Sequence, residues 1–176
     1  PWQIEVTRLL APVISVAGVL FVLTQDAWTA VLNFFLRFRG DNVIVAGLST
    51  RSWEFIRSCA GDYQVVVVEK NPDDGLIERA RQQPHVSVIV DDILNPGLFE
   101  RINLAHARHL VTFTGDDGQN VELTIKAREH MRRFGKRQLR IHMHVDDPHI
   151  SQRLKNYPKF FADQAAAQIN FFSLYD

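Results

Sequence analysis

The sequence predicts a Rossmann-type α/β fold, a doubly wound parallel sheet, over residues 41–158, preceded by an N-terminal hydrophobic helix over residues 1–40. Three observations predict it. A short apolar strand, residues 43–46, runs into Gly47 and then a helix. Residues 65–68 are four consecutive valines, which suit a strand buried on both faces of a parallel sheet. Further strands and helices then alternate, which predicts parallel strands joined by right-handed crossovers.

The elements after the first strand are predicted in order from periodicity and from turn residues. Helices are expected near residues 52–60, 73–83, 96–102, 117–133 and 148–155, and strands at 64–69, 86–90, 109–113 and 139–145. Residues 160–161 are interpreted as a short sixth strand. A last helix is expected from Ala162 to about Leu174, and residues 159–176 are assigned to a crossover or dimerisation segment.

Composition narrows the classes of function. The 176 residues contain 46% hydrophobic and 23% charged residues, enough for one good core, and 20 basic residues balance 20 acidic ones. A nucleic-acid-binding protein would normally show a basic excess, so no nucleic-acid partner is expected. The single cysteine, Cys59, excludes an internal disulfide and a thiolate zinc cluster.

The first forty residues differ from the rest. No charged residue lies between Arg8 and Asp26, so residues 9–23 lack the polar stripe of a soluble surface helix. The uncharged run is close to the length that spans a bilayer. We expect a membrane-inserted helix here; a helix buried against a partner chain is the alternative. Arg37 and Arg39 follow it, which places the later domain on the cytoplasmic side of a cell inner membrane by the positive-inside rule.

The turn after the first strand is the first candidate site. In a dinucleotide-binding turn three glycines permit a tight bend, backbone approach to pyrophosphate, and close packing of helix on strand. Gly47, Ser49 and Ser52 hold those places here. Only the first is glycine, and the β-carbon of Ser49 would crowd a phosphate. A ligand-free structural turn is therefore a competing interpretation. Arg51 is interpreted either as a phosphate partner or as a solvated side chain.

Glu69 ends the second strand about twenty residues after Gly47, which is where the dinucleotide fingerprint places an acidic residue. A carboxylate there accepts hydrogen bonds from a ribose diol and repels a 2′-phosphate. NAD-like or adenosine ligands are therefore favoured over NADP. The alternative is that Glu69 is a solvated strand end.

Two further loops should open on the same edge of the sheet. Residues 91–93 end the third strand and residues 114–117 end the fourth. Asp92 and Ile93 are candidates to border an adenine ring, although Asp92 also suits a turn-capping role. Asp116 or Asp117 is a candidate N-cap of the long helix. The predicted cofactor-binding set is Gly47, Leu48, Ser49, Thr50, Arg51, Glu69, Lys70, Asp92, Ile93 and Thr114.

The sequence gives less indication of a catalytic or metal site than of a nucleotide site. His142 and His144 alternate on one predicted strand with His149 nearby, but spacing alone fixes no complete ligand set, so no metal is predicted. The sequence contains no Ser-His-Asp arrangement, nucleophile elbow or zinc-protease helix. No catalytic residue is predicted.

The order of these segments resembles the regulator-of-potassium-conductance (RCK) domain, also called the TrkA N-terminal domain. The segments that carry the resemblance are Val-Ile-Val-Ala-Gly-Leu-Ser from residue 43, Val-Val-Val-Val-Glu-Lys-Asn-Pro from residue 65, and the loops that contain Asp92 and Thr114. The resemblance implies a cytoplasmic nucleotide-sensing module that forms dimers or rings and regulates potassium channels or transporters. It also implies that Gly47, Ser49, Glu69, Asp92 and Thr114 line the nucleotide pocket.

Three functions remain open. The leading hypothesis is a membrane-attached regulatory domain that is not an enzyme, binds NAD, NADH or another adenine nucleotide, and forms a homo-oligomer through the Rossmann domain and C-terminal helix. An NAD-dependent oxidoreductase is the second, but the 31 residues after Val145 leave little room for a substrate domain. The third is a degenerate Rossmann scaffold used only for oligomerisation.

Overall fold

The computed structural model describes residues 42–71, 75–95, 97–157, 160–161 and 164–173. These residues form a six-stranded sheet in the order β3-β2-β1-β4-β5-β6, with every neighbouring pair parallel. The strands are β1 Asn42–Ala46, β2 Gln64–Glu69, β3 Val86–Val90, β4 His109–Thr112, β5 Leu139–His144 and β6 Ala167–Phe172. The predicted Rossmann-type parallel sheet is thereby confirmed.

The helices are α1 Thr50–Cys59, α2 Gly75–Arg81, α3 Leu98–Arg101, α4 Asp117–Phe134 and α5 Pro148–Lys155, with a 3-10 turn at Leu104–His106. They cover the sheet from two sides. On one side, α1 and α2 contribute Ile56 and Ile77 to a cluster built on alternate β1 and β2 residues. On the other, α3 and α4 contribute Leu98 and Leu123 to the larger cluster.

The valine run explains the centre of the sheet. Residues 65–68 are at most 1% exposed, and their side chains alternate between the two clusters. A strand with both faces covered needs apolar side chains at consecutive positions, and β-branched residues fit that pleated surface. The sequence of β2 is therefore a direct consequence of its position between β1 and β3.

Strand order changes direction between β1 and β4. The chain moves outward through β2 and β3, returns to place β4 on the other side of β1, and then moves outward again. At such a switch point the connections leave the carboxyl ends of the two strands in opposite directions, which opens a crevice between them. Gly47 follows β1 and Thr114 follows β4, so both predicted site loops border this crevice.

The last helix and the short sixth strand predicted after residue 158 are wrong. Ala167–Phe172 is a strand parallel to β5, where a helix was expected, and residues 160–161 lie in no strand. Alternation explains the strand, because Ala167 and Ile169 are buried while Gln168 and Asn170 are exposed. Phe160 instead packs against the rings of Phe161 and Phe171.

The predicted N-terminal hydrophobic helix, residues 1–40, lies outside the described residues. Within the described ranges, no helix combines the length and apolar character needed to cross a membrane.

Candidate functional site

The turn after β1 is held against the end of β4. Gly47 has φ of +97°, and its N–H donates to the Val68 carbonyl at 2.8 Å. A β-carbon on Gly47 would lie 2.2 Å from the Phe113 carbonyl oxygen. Glycine is therefore required by the backbone of the neighbouring strand, whether or not a phosphate approaches the turn.

The two serines that replace fingerprint glycines cap helix α1. The Ser49 hydroxyl accepts from the Ser52 backbone N–H at 3.2 Å, and the Ser52 hydroxyl accepts from the Ser49 backbone N–H at 2.7 Å. This reciprocal arrangement is a capping box, which satisfies two otherwise unpaired donors at a helix start. Ser52 is fully buried. Ser52, at the position where the fingerprint has its third glycine, therefore caps the start of helix α1.

Glu69 reaches from the end of β2 back to the turn. Its Oε2 accepts from the Leu48 backbone N–H at 2.6 Å, and its Oε1 accepts from the Asn71 N–H at 2.8 Å. Each oxygen retains a further acceptor site because a carboxylate carries about four lone-pair positions. The side chain is thus fixed in place with its remaining acceptor capacity beside the crevice.

A cavity of about 300 Å³ lies beside Glu69 at the carboxyl ends of β1, β2 and β3. It brings together six residues of the predicted set: Gly47, Glu69, Lys70, Asp92, Ile93 and Thr114. Four lining residues that were not in that set also contribute: Val68, Asn71, Asp91 and Gln119. Leu48, Ser49, Thr50 and Arg51 belong to the turn and to the start of α1, and do not line this cavity.

Ion pairs surround the outer end of the cavity. Lys70 Nζ lies 2.8 Å from Asp92 Oδ2, and this hydrogen bond raises the pKa of Lys70 and lowers that of Asp92. Arg101 binds Asp91 Oδ2 at 2.6 Å and is the main cause of the lowered pKa of Asp91; Asn95 also donates to that carboxylate. Both aspartates are therefore anionic at neutral pH. Asp92 additionally accepts from the Leu94 N–H at 2.9 Å, as a turn-capping residue would.

Buried Asn120 fixes the loop after β4. Its Oδ1 accepts from both the backbone N–H and the hydroxyl of Thr114, at 3.2 Å and 2.9 Å. Its Nδ2 donates to the His144 carbonyl at the end of β5, at 3.1 Å. One amide therefore joins the ends of two strands. Sequence reasoning missed Asn120, and a lone asparagine inside a helix gives no signal of such a role.

A second cavity, of about 530 Å³, opens beyond the start of α4. Asp116, Asp117, Asp146 and Asp147 line it together with His144. Most of these carboxylates have structural roles. Asp116 and Asp147 are the N-caps of α4 and α5, so the predicted capping role of Asp116 is confirmed. Asp117 accepts from the backbone N–H of Asp147 at 2.8 Å.

Asp146 connects this cavity to the turn. Its Oδ2 lies 3.6 Å from Arg51 Nη1, and its Oδ1 lies 3.0 Å from Nε2 of buried His144. Arg51 thus faces the β5–α5 loop rather than the cavity beside Glu69. Exposed pairs of this kind contribute little stability.

The histidines that alternate on β5 do not meet at one place. His142 pairs with His109 on the neighbouring strand, with Nε2 and Nδ1 3.1 Å apart, while His144 contacts Phe113 and Phe172. His149 is exposed at the start of α5. Across the described ranges, no group of three or more His, Cys, Asp or Glu is placed to hold a metal ion.

Strand order, the glycine turn and the carboxylate after β2 define a Rossmann-type domain whose crevice opens at the switch point between β1 and β4. The family model of the TrkA-N domain matches residues 43–165. The chain belongs to the TrkA-N domain family, which confirms the resemblance found in the sequence. No curated protein matches the chain.

Solved structures with the same fold include a GsuK channel bound to NAD, at 18% identity and a TM-score of 0.52 over 73% of this chain. The NAD(P)-binding domain of an exopolyphosphatase-related protein from Archaeoglobus fulgidus is 16% identical, with a TM-score of 0.53 over 76% of this chain and 88% of its own. The human SLO3 gating ring is 13% identical, with a TM-score of 0.52 over 74% of this chain and 24% of its own. This chain covers 21% of that GsuK channel chain.

Proposed function

We propose that this domain is a regulatory module that binds an adenine nucleotide, NAD or NADH first among the candidates, and controls a potassium or other cation channel or transporter. The observation that carries the proposal is Glu69, held beside a cavity at the switch point by two backbone N–H groups. A carboxylate at this place accepts from a ribose diol. The similarity in fold to a channel bound to NAD and to a gating ring supports the regulatory role.

The cofactor-binding residues in this proposal are those that line the cavity. Glu69 binds the ribose, while Asp92 and Ile93 border the adenine, Asp92 as an acceptor and Ile93 as an apolar surface. Lys70 neutralises Asp92, and Thr114 bounds the cavity from the β4 side. Leu48, Ser49, Thr50 and Arg51 lie beside the position of any phosphate. None of these groups forms a nucleophile with an adjacent base, and the proposal assigns the domain no catalytic step.

The finer parts of the proposal concern attachment and assembly. Residues 9–23 insert in a cell inner membrane, the Rossmann domain lies on its cytoplasmic side, and two or more copies associate through that domain. A charge in the apolar run tests attachment, because an arginine at a helix centre costs about 2.5–3.5 kcal/mol of insertion free energy. Val16→Arg should move the chain from the membrane fraction to the soluble fraction. The control variant Arg132→Gln changes an exposed side chain of α4 and should stay in the membrane fraction.

Ligand binding is tested by calorimetry and thermal shift with NAD, NADH, ATP, ADP and AMP. Glu69→Gln should weaken binding of every compound that binds by roughly tenfold or more, because a charge-assisted hydrogen bond becomes a neutral one. Glu78→Gln, which changes an exposed side chain of α2, is the matched control and should bind these compounds as the parent does. The absence of heat and of thermal shift with all five compounds would contradict the proposal and favour the scaffold function.

A further inference from the structure

Three backbone donors of the turn that would hold a diphosphate already have internal partners. The Leu48 N–H is bonded to Glu69, and the Ser49 and Ser52 N–H groups are bonded to each other's hydroxyls. In dinucleotide-binding turns it is backbone N–H groups of this segment, at the start of the helix, that bind pyrophosphate. A phosphate that binds to any of these three N–H groups must therefore displace an existing hydrogen bond.

The serine hydroxyls offer no compensating donors. The Ser52 hydroxyl donates to the Ser49 carbonyl at 3.1 Å, and the Ser49 hydroxyl lies 3.3 Å from the Ser52 hydroxyl. All four polar groups of the pair are thus joined in one closed network. The β-carbon of Ser49 also occupies the position where the fingerprint has glycine so that the backbone can approach pyrophosphate.

Charge around the crevice also disfavours phosphate. Glu69, Asp91 and Asp92 lie on one side of the turn, and four aspartates line the cavity on the other side. The cations nearest to the turn are already engaged: Lys70 pairs with Asp92, and Arg51 pairs with Asp146. Anionic ligands gain from clefts lined by the opposite sign, and the sign here is negative.

The cavity beside Glu69, where the adenosine would bind, offers hydrogen-bond acceptors and an apolar surface. Its cavity of about 300 Å³ contains fixed carboxylate acceptors on Glu69 and Asp92 and the apolar side chain of Ile93. A ribose diol and an exocyclic amine are hydrogen-bond donors, so their chemistry complements these acceptors. The volume is at the lower end for small-molecule sites, about 300–1,000 Å³, which suits half of a dinucleotide.

Resting on the function proposed above, we propose that this site recognises its ligand through the adenosine moiety alone. Phosphates attached to that moiety add no affinity, so the ligand class is the adenine nucleoside, free or as part of a larger molecule. The serine network determines this specificity, because it occupies the Ser49 and Ser52 N–H groups that would otherwise be available to a phosphate.

Calorimetry of the purified full chain with adenosine, AMP, ADP and NAD tests the inference. Dissociation constants within about threefold of one another are expected, since a phosphate that binds to the Leu48, Ser49 or Ser52 N–H must break an existing hydrogen bond there. ADP or NAD binding more than about tenfold tighter than adenosine would overturn the inference and leave the proposed function standing. If none of the four compounds binds, both this inference and the proposed function are contradicted.

A double substitution tests the serine network itself. Ser49→Gly with Ser52→Ala restores the fingerprint pattern and releases the Ser49 and Ser52 N–H groups. We expect ADP to bind about tenfold tighter to the variant, with adenosine unchanged. Ser58→Ala is the matched control on the same helix, exposed and remote from the turn. Equal ADP affinity in variant and parent, with the fold intact by circular dichroism, would refute the role given to the serines.

Discussion

Replacing Gly47 by alanine should destabilise the domain for a reason unrelated to any ligand. The residue has φ of +97°, and the added β-carbon would lie 2.2 Å from the Phe113 carbonyl oxygen. A left-handed backbone at a residue with a side chain costs about 1–2 kcal/mol. The close contact forces the backbone to move, which costs about 1–3 kcal/mol more. Together these give about 2–5 kcal/mol, a large share of the roughly 5–15 kcal/mol that stabilises a typical domain.

Thermal melting followed by circular dichroism measures the effect. At about 3 °C for each kcal/mol in a domain of this size, the midpoint of Gly47→Ala should fall by about 6–15 °C. Gly75→Ala is the matched control, because a β-carbon there meets nothing within 4 Å. It should melt at or slightly above the parent temperature. A Gly47→Ala midpoint within about 3 °C of the parent would refute the reasoning, since the close contact with β4 would then cost almost nothing.

Two further predictions concern buried polar groups. Asn120→Ala removes the acceptor of the Thr114 N–H and the donor to the His144 carbonyl, while the Thr114 hydroxyl keeps the Asp116 carbonyl as its acceptor. The free energy of unfolding should therefore fall by about 2–4 kcal/mol in urea titrations, whereas Gln119→Ala should change it little. The pKa of His109 is lowered from 6.5 to about 4, chiefly by burial and then by the charges of His142, Arg140 and Arg108. Between these pH values the unfolded chain binds a proton that the folded chain does not, so acidification should cost about 1–2 kcal/mol after allowance for solvent screening. His109→Gln should remove that part of the decline between pH 7 and pH 4.5, and an unchanged pH profile would contradict the assignment.

The parallel sheet was predictable because its signals are local. Four consecutive valines mark β2, and the strand, Gly47 and helix follow one another without a gap. The strands from β1 to β5 agree with the predicted ones to within a residue at each end. Burial on both faces leaves such strands few acceptable residue types, so the sequence is informative there.

The error at β6 has a physical reason. The run of three alanines at residues 165–167 favours a helix by intrinsic propensity. Pairing along β5 outweighs that propensity, because it buries Ala167 and Ile169 and forms a ladder of hydrogen bonds. The alternation of buried and exposed residues over 167–170 was the available signal.

The sequence predicted where the site lies, but only some of the residues that form it and some of their roles. Glu69 and Asp92 were found because each ends a strand, and strand ends share an edge. The capping box at Ser49 and Ser52 was missed because the two positions were compared with a glycine fingerprint. A serine followed three residues later by another hydrogen-bonding residue at a helix start is itself a capping signal.

Asn120 links the position of the loop after β4 to the position of the end of β5. Thr114 cannot move away from Asn120 without breaking two hydrogen bonds to the Asn120 side-chain amide. The same amide donates to the His144 carbonyl at the end of β5. A displacement of the β4 loop that keeps these hydrogen bonds requires a matching movement at the end of β5, one strand away. A molecule that binds at one of these two segments would then also change the position of the other.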